Sequence, residues 1–156
     1  MIRCKSNNKA CALAEAPAHL QTKSKSTLDI NKNLIFADTT VATISGKIYG
    51  ESLYSDEKFQ EEDTLPFANI ALINAETQEV LGTTTDLDGA YNLSIPAATY
   101  QLKISFVGYN IVLIDNIQLG TGELFNLSAQ LGLGIEKEEF TIRNHRGTKK
   151  LIRKTN

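Results

Sequence analysis

From Val41 to Leu131 apolar and polar side chains alternate with a period of two, the signature of strands with one face in a core. Ile44 and Ile48 alternate with Thr43, Ser45 and Lys47 up to Gly50. Pro66 opens a second run in which Ile70 and Leu72 share a face, and Val80 to Thr85 gives a third. Tyr91, Leu93 and Ile95 alternate with Asn92 and Ser94, and Tyr100, Leu102, Ile104 and Phe106 with Gln101, Lys103 and Ser105. The run Ile111 to Ile114 lacks polar alternation, which predicts burial on both faces or a change of sheet. Phe125, Leu127, Ala129 and Leu131 line one side of a seventh strand. Turn residues separate the runs: Asn74-Ala75-Glu76-Thr77, Asp86-Leu87-Asp88-Gly89 and Pro96-Ala97-Ala98. Seven short strands at this spacing predict an all-β, antiparallel, Greek-key β-sandwich. The expected core contains Ile44, Ile48, Leu93, Ile95, Leu102, Ile104, Phe106, Phe125 and Leu127.

The flanks lack this pattern. Residues 1–40 read as a disordered or linker segment, 41–131 as the sandwich and 132–156 as a basic tail. The formal net charge of −2 conceals a net +3 over residues 1–40, −9 over 41–134 and +4 over 135–156. An acidic middle repels phosphates and argues against nucleic acid as a partner. The basic tail has a single aromatic, Phe140, and so no platform for stacking bases. No apolar run approaches the length of a transmembrane helix. Arg3, Lys5 and Lys9 precede an Ala-rich stretch, but Glu15 and Pro17 interrupt it, so no clean signal peptide is visible. Cys4 and Cys11 lie outside the strand region and predict no disulfide in the core.

The order of pieces then points to a family. I-S-G-K-I-Y-G (44–50), L-P-F-A-N-I-A-L-I-N (65–74), T-T-T-D-L-D-G-A-Y-N-L-S-I-P-A-A-T-Y (83–100) and I-S-F-V-G-Y (104–109) together resemble a carboxypeptidase-like regulatory domain over residues 41–131. The resemblance implies a transthyretin-like sandwich without catalytic function or cofactor. It implies a place in the bacterial cell envelope or outside the cell, with an unknown protein partner such as an outer-membrane receptor or surface complex. Two features depart from the family. Ala98 stands where a glycine is usual, which predicts a different turn type. The loop Glu51 to Leu65 is longer than the usual short turn.

That loop carries Asp56, Glu57, Glu61, Glu62 and Asp63, which makes it the expected contact surface, because a long loop on a short-turn scaffold tends to be functional or disordered. Asp86 and Asp88 are the weak metal candidates. Counted as a calcium loop from Asp86, positions 5 and 12 fall on Ala90 and Ala97, so the loop alone cannot enclose the ion; the expected role is a self-capped turn. No hydrolase or phosphate-binding motif appears, and no catalytic residue is assigned. His145-Arg146-Gly147-Thr148 is superficially close to the terminal tetrapeptide of a hydrolase sharing this fold, but the other histidine motifs are missing. An intramolecular Lys–Asn crosslink needs inward side chains, and Lys47 and Asn126 both have outward parity. The alternatives are a carbohydrate- or small-ligand-binding module, with Tyr49, Tyr54, Phe59 and Tyr109 the aromatics off the apolar faces, and a calcium-stabilised adhesion-type domain.

Overall fold

A computed structural model describes residues 24–34, 40–145 and 148–154. Cys4, Cys11, His19 and the Ala-rich stretch lie outside the described residues, as do Arg146 and Gly147.

Among the described residues ten strands form: β1 (Thr27–Leu34), β2 (Val41–Gly50), β3 (Asn69–Asn74), β4 (Val80–Thr84), β5 (Ala90–Pro96), β6 (Ala98–Ser105), β7 (Ile111–Leu119), β8 (Glu123–Leu131), β9 (Lys137–His145) and β10 (Thr148–Arg153). They make a four-stranded sheet in the order β1-β8-β2-β5 and a six-stranded sheet in the order β10-β9-β7-β6-β3-β4. The β-sandwich is as expected, but it has ten strands rather than seven. It is also not purely antiparallel, since β2–β8 and β7–β9 are parallel pairs.

The alternating halves of both sheets meet in one core that includes Ile44, Ile48, Ile95, Leu102, Ile104, Phe125 and Leu127. Leu93 and Phe106 are only partly buried and pack at its margin. The apolar run in β7 has Val112, Leu113 and Ile114 all buried, as the missing polar alternation predicts. Ala98 opens β6 and is not among the residues with positive φ, so its turn does not use the glycine conformation.

The flanks depart most from expectation. β1 lies in the presumed N-terminal linker, and β9 and β10 lie in the presumed basic tail. β1 and β9 each have a short period-two stripe, Leu28 and Ile30 in β1 and Phe140 and Ile142 in β9, and β10 adds Leu151, all part of the core or packed on it. Their charges are half of intramolecular pairs. Arg153 meets Glu138 at 2.6 Å, Lys32 meets Glu123 at 2.6 Å, and Lys154 pairs with Asp115. Two of these pairs, Lys32–Glu123 and Lys154–Asp115, join a basic flank to the acidic middle.

A buried polar clasp joins the terminal strands. Glu138 of β9 is 8% exposed. Its carboxylate accepts from the Ser26 amide at 3.0 and 3.1 Å, from the Ser26 hydroxyl, and from Arg153. Arg153 also donates to the Ser26 carbonyl at 3.0 Å and stacks over Phe140 at 4.7 Å. Satisfying every partner is what makes a buried carboxylate tolerable here.

Candidate functional site: one end of the sandwich

Strand directions put four connections at one end: 51–68 between β2 and β3, 85–89 between β4 and β5, 106–110 between β6 and β7, and 132–136 between β8 and β9. Backbone hydrogen bonds lock them together. The Phe67 amide donates to the Thr85 carbonyl and the Thr85 amide to the Ala68 carbonyl, while the Glu51 amide donates to the Leu131 carbonyl. The Asn110 amide donates to the Gly132 carbonyl and the Gly134 amide to the Gly108 carbonyl. Thr85, almost fully buried, donates its hydroxyl to the Leu65 carbonyl at 2.6 Å and accepts from the Ala68 amide at 2.8 Å. Loop backbone normally runs solvated over a surface; here it is paired, so the end is a built platform.

The long loop begins and ends in this platform and folds back over the outer face of the four-stranded sheet. Tyr49 has the opposite parity to Ile48 and points outward, yet it is buried because Phe59 packs edge-on against it at 5.4 Å. The Phe59 amide donates to the side-chain carbonyl of Gln130, also buried on that face. Lys47 and Glu61 pair at 2.7 Å, and this hydrogen bond raises the Lys47 pKa. Phe59 and Phe67 both hold left-handed backbone, with φ of 56° and 62°. Bulky residues avoid that region at a cost of about 1–2 kcal/mol each, so this loop is held in shape against local preference.

Asp56, Glu57, Glu61 and Glu62 are exposed and Asp63 is half-buried; Glu61 to Asp63 form one short 3-10 turn. The tip is more apolar than the sequence suggested. Leu53 is 75% and Tyr54 97% exposed. Of the four aromatics considered for ligand contact, Tyr49 is buried and Phe59 and Tyr109 are half-buried, leaving Tyr54 as the solvent-facing ring.

The Asp86 turn is self-capped. The Asp86 carboxylate accepts from the Asp88 and Ala90 amides, each at 2.9 Å. Gly89 has φ of 72°, and a Cβ there would lie 2.8 Å from Thr64 Cβ and 2.9 Å from the Ile48 carbonyl oxygen. Asp88 is exposed and Leu87 projects from the turn. Asp86 and Asp88 do not join the acidic loop in a ligand set: among the described residues no three His, Cys, Asp or Glu side chains come together as a metal site.

A concavity of about 330 Å³ opens between the sheets and is lined by Leu28, Ile30, Phe125, Ile142 and Leu151 with Lys32. The Lys32 amine is held by Glu123 and by the Gln118 carbonyl at 3.2 Å. The lining offers shape and apolar surface without convergent polar groups to orient a ligand.

No curated protein and no solved structure matches the chain. The model of the carboxypeptidase regulatory-like domain matches residues 59–132, from the long loop through β8. That span starts later than the resemblance read from 41–131, leaving β2 outside, as are β1, β9 and β10. The stretch 59–132 belongs to the carboxypeptidase regulatory-like domain family, a family of non-catalytic β-sandwich modules.

Proposed function

We propose that this chain is a regulatory or protein-interaction module of a bacterial envelope or secreted system, acting by surface recognition. The observation that supports this most is the hydrogen-bonded loop end, which anchors both ends of a long acidic loop in a rigid platform. Rigid display of loop side chains is how sandwich scaffolds recognise partners. The envelope setting follows from the resemblance to domains that accompany outer-membrane receptors and surface proteins.

The test is site-specific photo-crosslinking in native cells. A benzophenone side chain would replace Tyr54 or Leu87 at the loop end, Asn92 on the outer face of the four-stranded sheet, or Val80 at the opposite end. The expected outcome is a discrete protein adduct from Tyr54 or Leu87, recovered with the envelope or the medium. No adduct from any of the four positions would overturn the interaction reading. An adduct recovered only with the cytosol would overturn the envelope setting.

A further inference from the structure

Among the described residues seven large apolar side chains stand out in solvent: Leu53, Tyr54, Phe67, Leu87, Val107, Ile135 and Val80. The first six lie on the four loops of one end, with exposures from 61% to 97%. Scattered exposed apolar residues are ordinary, but six gathered on one end mark an interaction surface. The same loops carry nine acidic residues and one basic residue, Lys58. Apolar loop tips inside an acidic surround select their partner by charge. An anionic membrane is repelled. A protein whose apolar recess is rimmed by Lys and Arg gains both burial and complementary potential.

Resting on the interaction reading above, we infer that the loop end docks a protein surface with an apolar centre and a basic rim, with Leu53, Tyr54, Phe67, Leu87, Val107 and Ile135 as its anchors. The acidic residues of 51–68, with Asp86, Asp88 and Glu136, set the encounter rate and the sign of the partner. The apolar tips set how long it stays.

The probe is a labelled synthetic amphipathic helix of leucine and lysine, titrated onto the full chain, with a leucine–glutamate helix of the same pattern beside it. The lysine peptide should bind and the glutamate peptide should not. Binding should weaken steeply as salt rises from about 0.05 to about 0.5 M. Leu53→Ser with Tyr54→Ser should weaken it by about tenfold or more, and Glu57→Lys with Glu62→Lys by a similar factor. Val80→Ser, at the other end, should leave it unchanged. All these sites are exposed, and an unchanged thermal melt confirms that each variant is folded. Equal binding of both peptides, or equal loss in the Val80 variant, overturns the inference. So does binding to phosphatidylcholine vesicles in place of the lysine peptide. A dimer by sedimentation that the Leu53/Tyr54 variant abolishes would make the occupant a second copy and likewise overturn it. A crosslink at Tyr54 without peptide discrimination would leave the interaction reading standing and remove this one.

Discussion

At the residue scale the most consequential position is Gly46, which reads in the sequence as one more inward residue of an alternating strand. It sits opposite Tyr91 in β5, and a Cβ there would lie 1.9 Å from the Leu127 carbonyl oxygen of β8. That carbonyl accepts the Tyr91 hydroxyl at 2.7 Å, so the tyrosine reaches past β2 where β2 has no side chain. Burial pushes the Tyr91 hydroxyl far above the ordinary phenol pKa, so it stays a donor. Gly46→Ala should cost about 1–3 kcal/mol, because the strands must part to admit a methyl group; a urea midpoint equal to that of the parent would contradict the packing. The Asp86 turn shows how a residue's role is legible where its placement in a site is not. The D-x-D-G spacing announces a turn, and Asp86 caps it. Asp86→Ala should lower stability by about 0.5–2 kcal/mol, by analogy with helix caps, to the same extent with and without millimolar calcium. A calcium-dependent rise in melting temperature that the substitution removes would restore the ion site.

At the scale of elements, β2 to β8 were readable from alternating stripes or, in β7, a continuous apolar run, and the three terminal strands were not. β1 and β9 each place two apolar residues on the core and β10 one, surrounded by Lys, Arg, Asn and Glu. Local pattern reports burial only when enough of a strand's face is apolar. These strands are completed by pairing with distant ones, β1 with β8 and β9 with β7, and by ion pairs that appear in sequence as unrelated charge. Glu138→Gln should lower stability by about 1.5–3 kcal/mol, in the range of hydrogen bonds to charged groups. Hydrogen exchange should speed up in β1 and β10 together, because both are tied to the one carboxylate; acceleration confined to β10 would show that Ser26 is held by other means. A second tie responds to acid. β7 bulges where Asp115 and Asn116 stand opposite Gln101, with Asn116 at φ 62°. Burial alone would raise the Asp115 pKa, but hydrogen bonds from Lys154 and Gln101 outweigh it and hold it below the ordinary value. A depressed carboxylate contributes stability that is fully present above its unfolded pKa and is lost as pH falls through its folded pKa. The acid limb of stability below about pH 4 should therefore be shallower in Asp115→Asn than in the parent. Identical limbs would show that the pair with Lys154 is too solvated to matter.

For the whole molecule, the acidic loop was visible as composition and the apolar loop end was not. Leu53, Phe67, Leu87, Val107 and Ile135 are far apart in the chain, and each alone is an unremarked loop residue. Only the strand order brings their loops to one end, and strand order depends on pairings that local pattern does not encode. Likewise Tyr49 and Gln130 look like outward positions until the long loop folds over them. The terminal clasp has one more consequence. β1 enters and β10 leaves at the same end, with the Ser24 carbonyl accepting from the Asn110 side-chain amide at 2.8 Å and the Lys154 amide donating to the Glu139 carbonyl at 2.7 Å. Tension between the segments flanking Ser24 and Lys154 would therefore fall first on Glu138, Ser26 and Arg153. The two edge strands would peel bond by bond, at low force, while β2 and β8 stayed paired. Under load the clasp should therefore act as a mechanical fuse, yielding early and sparing the pairing of β2 with β8.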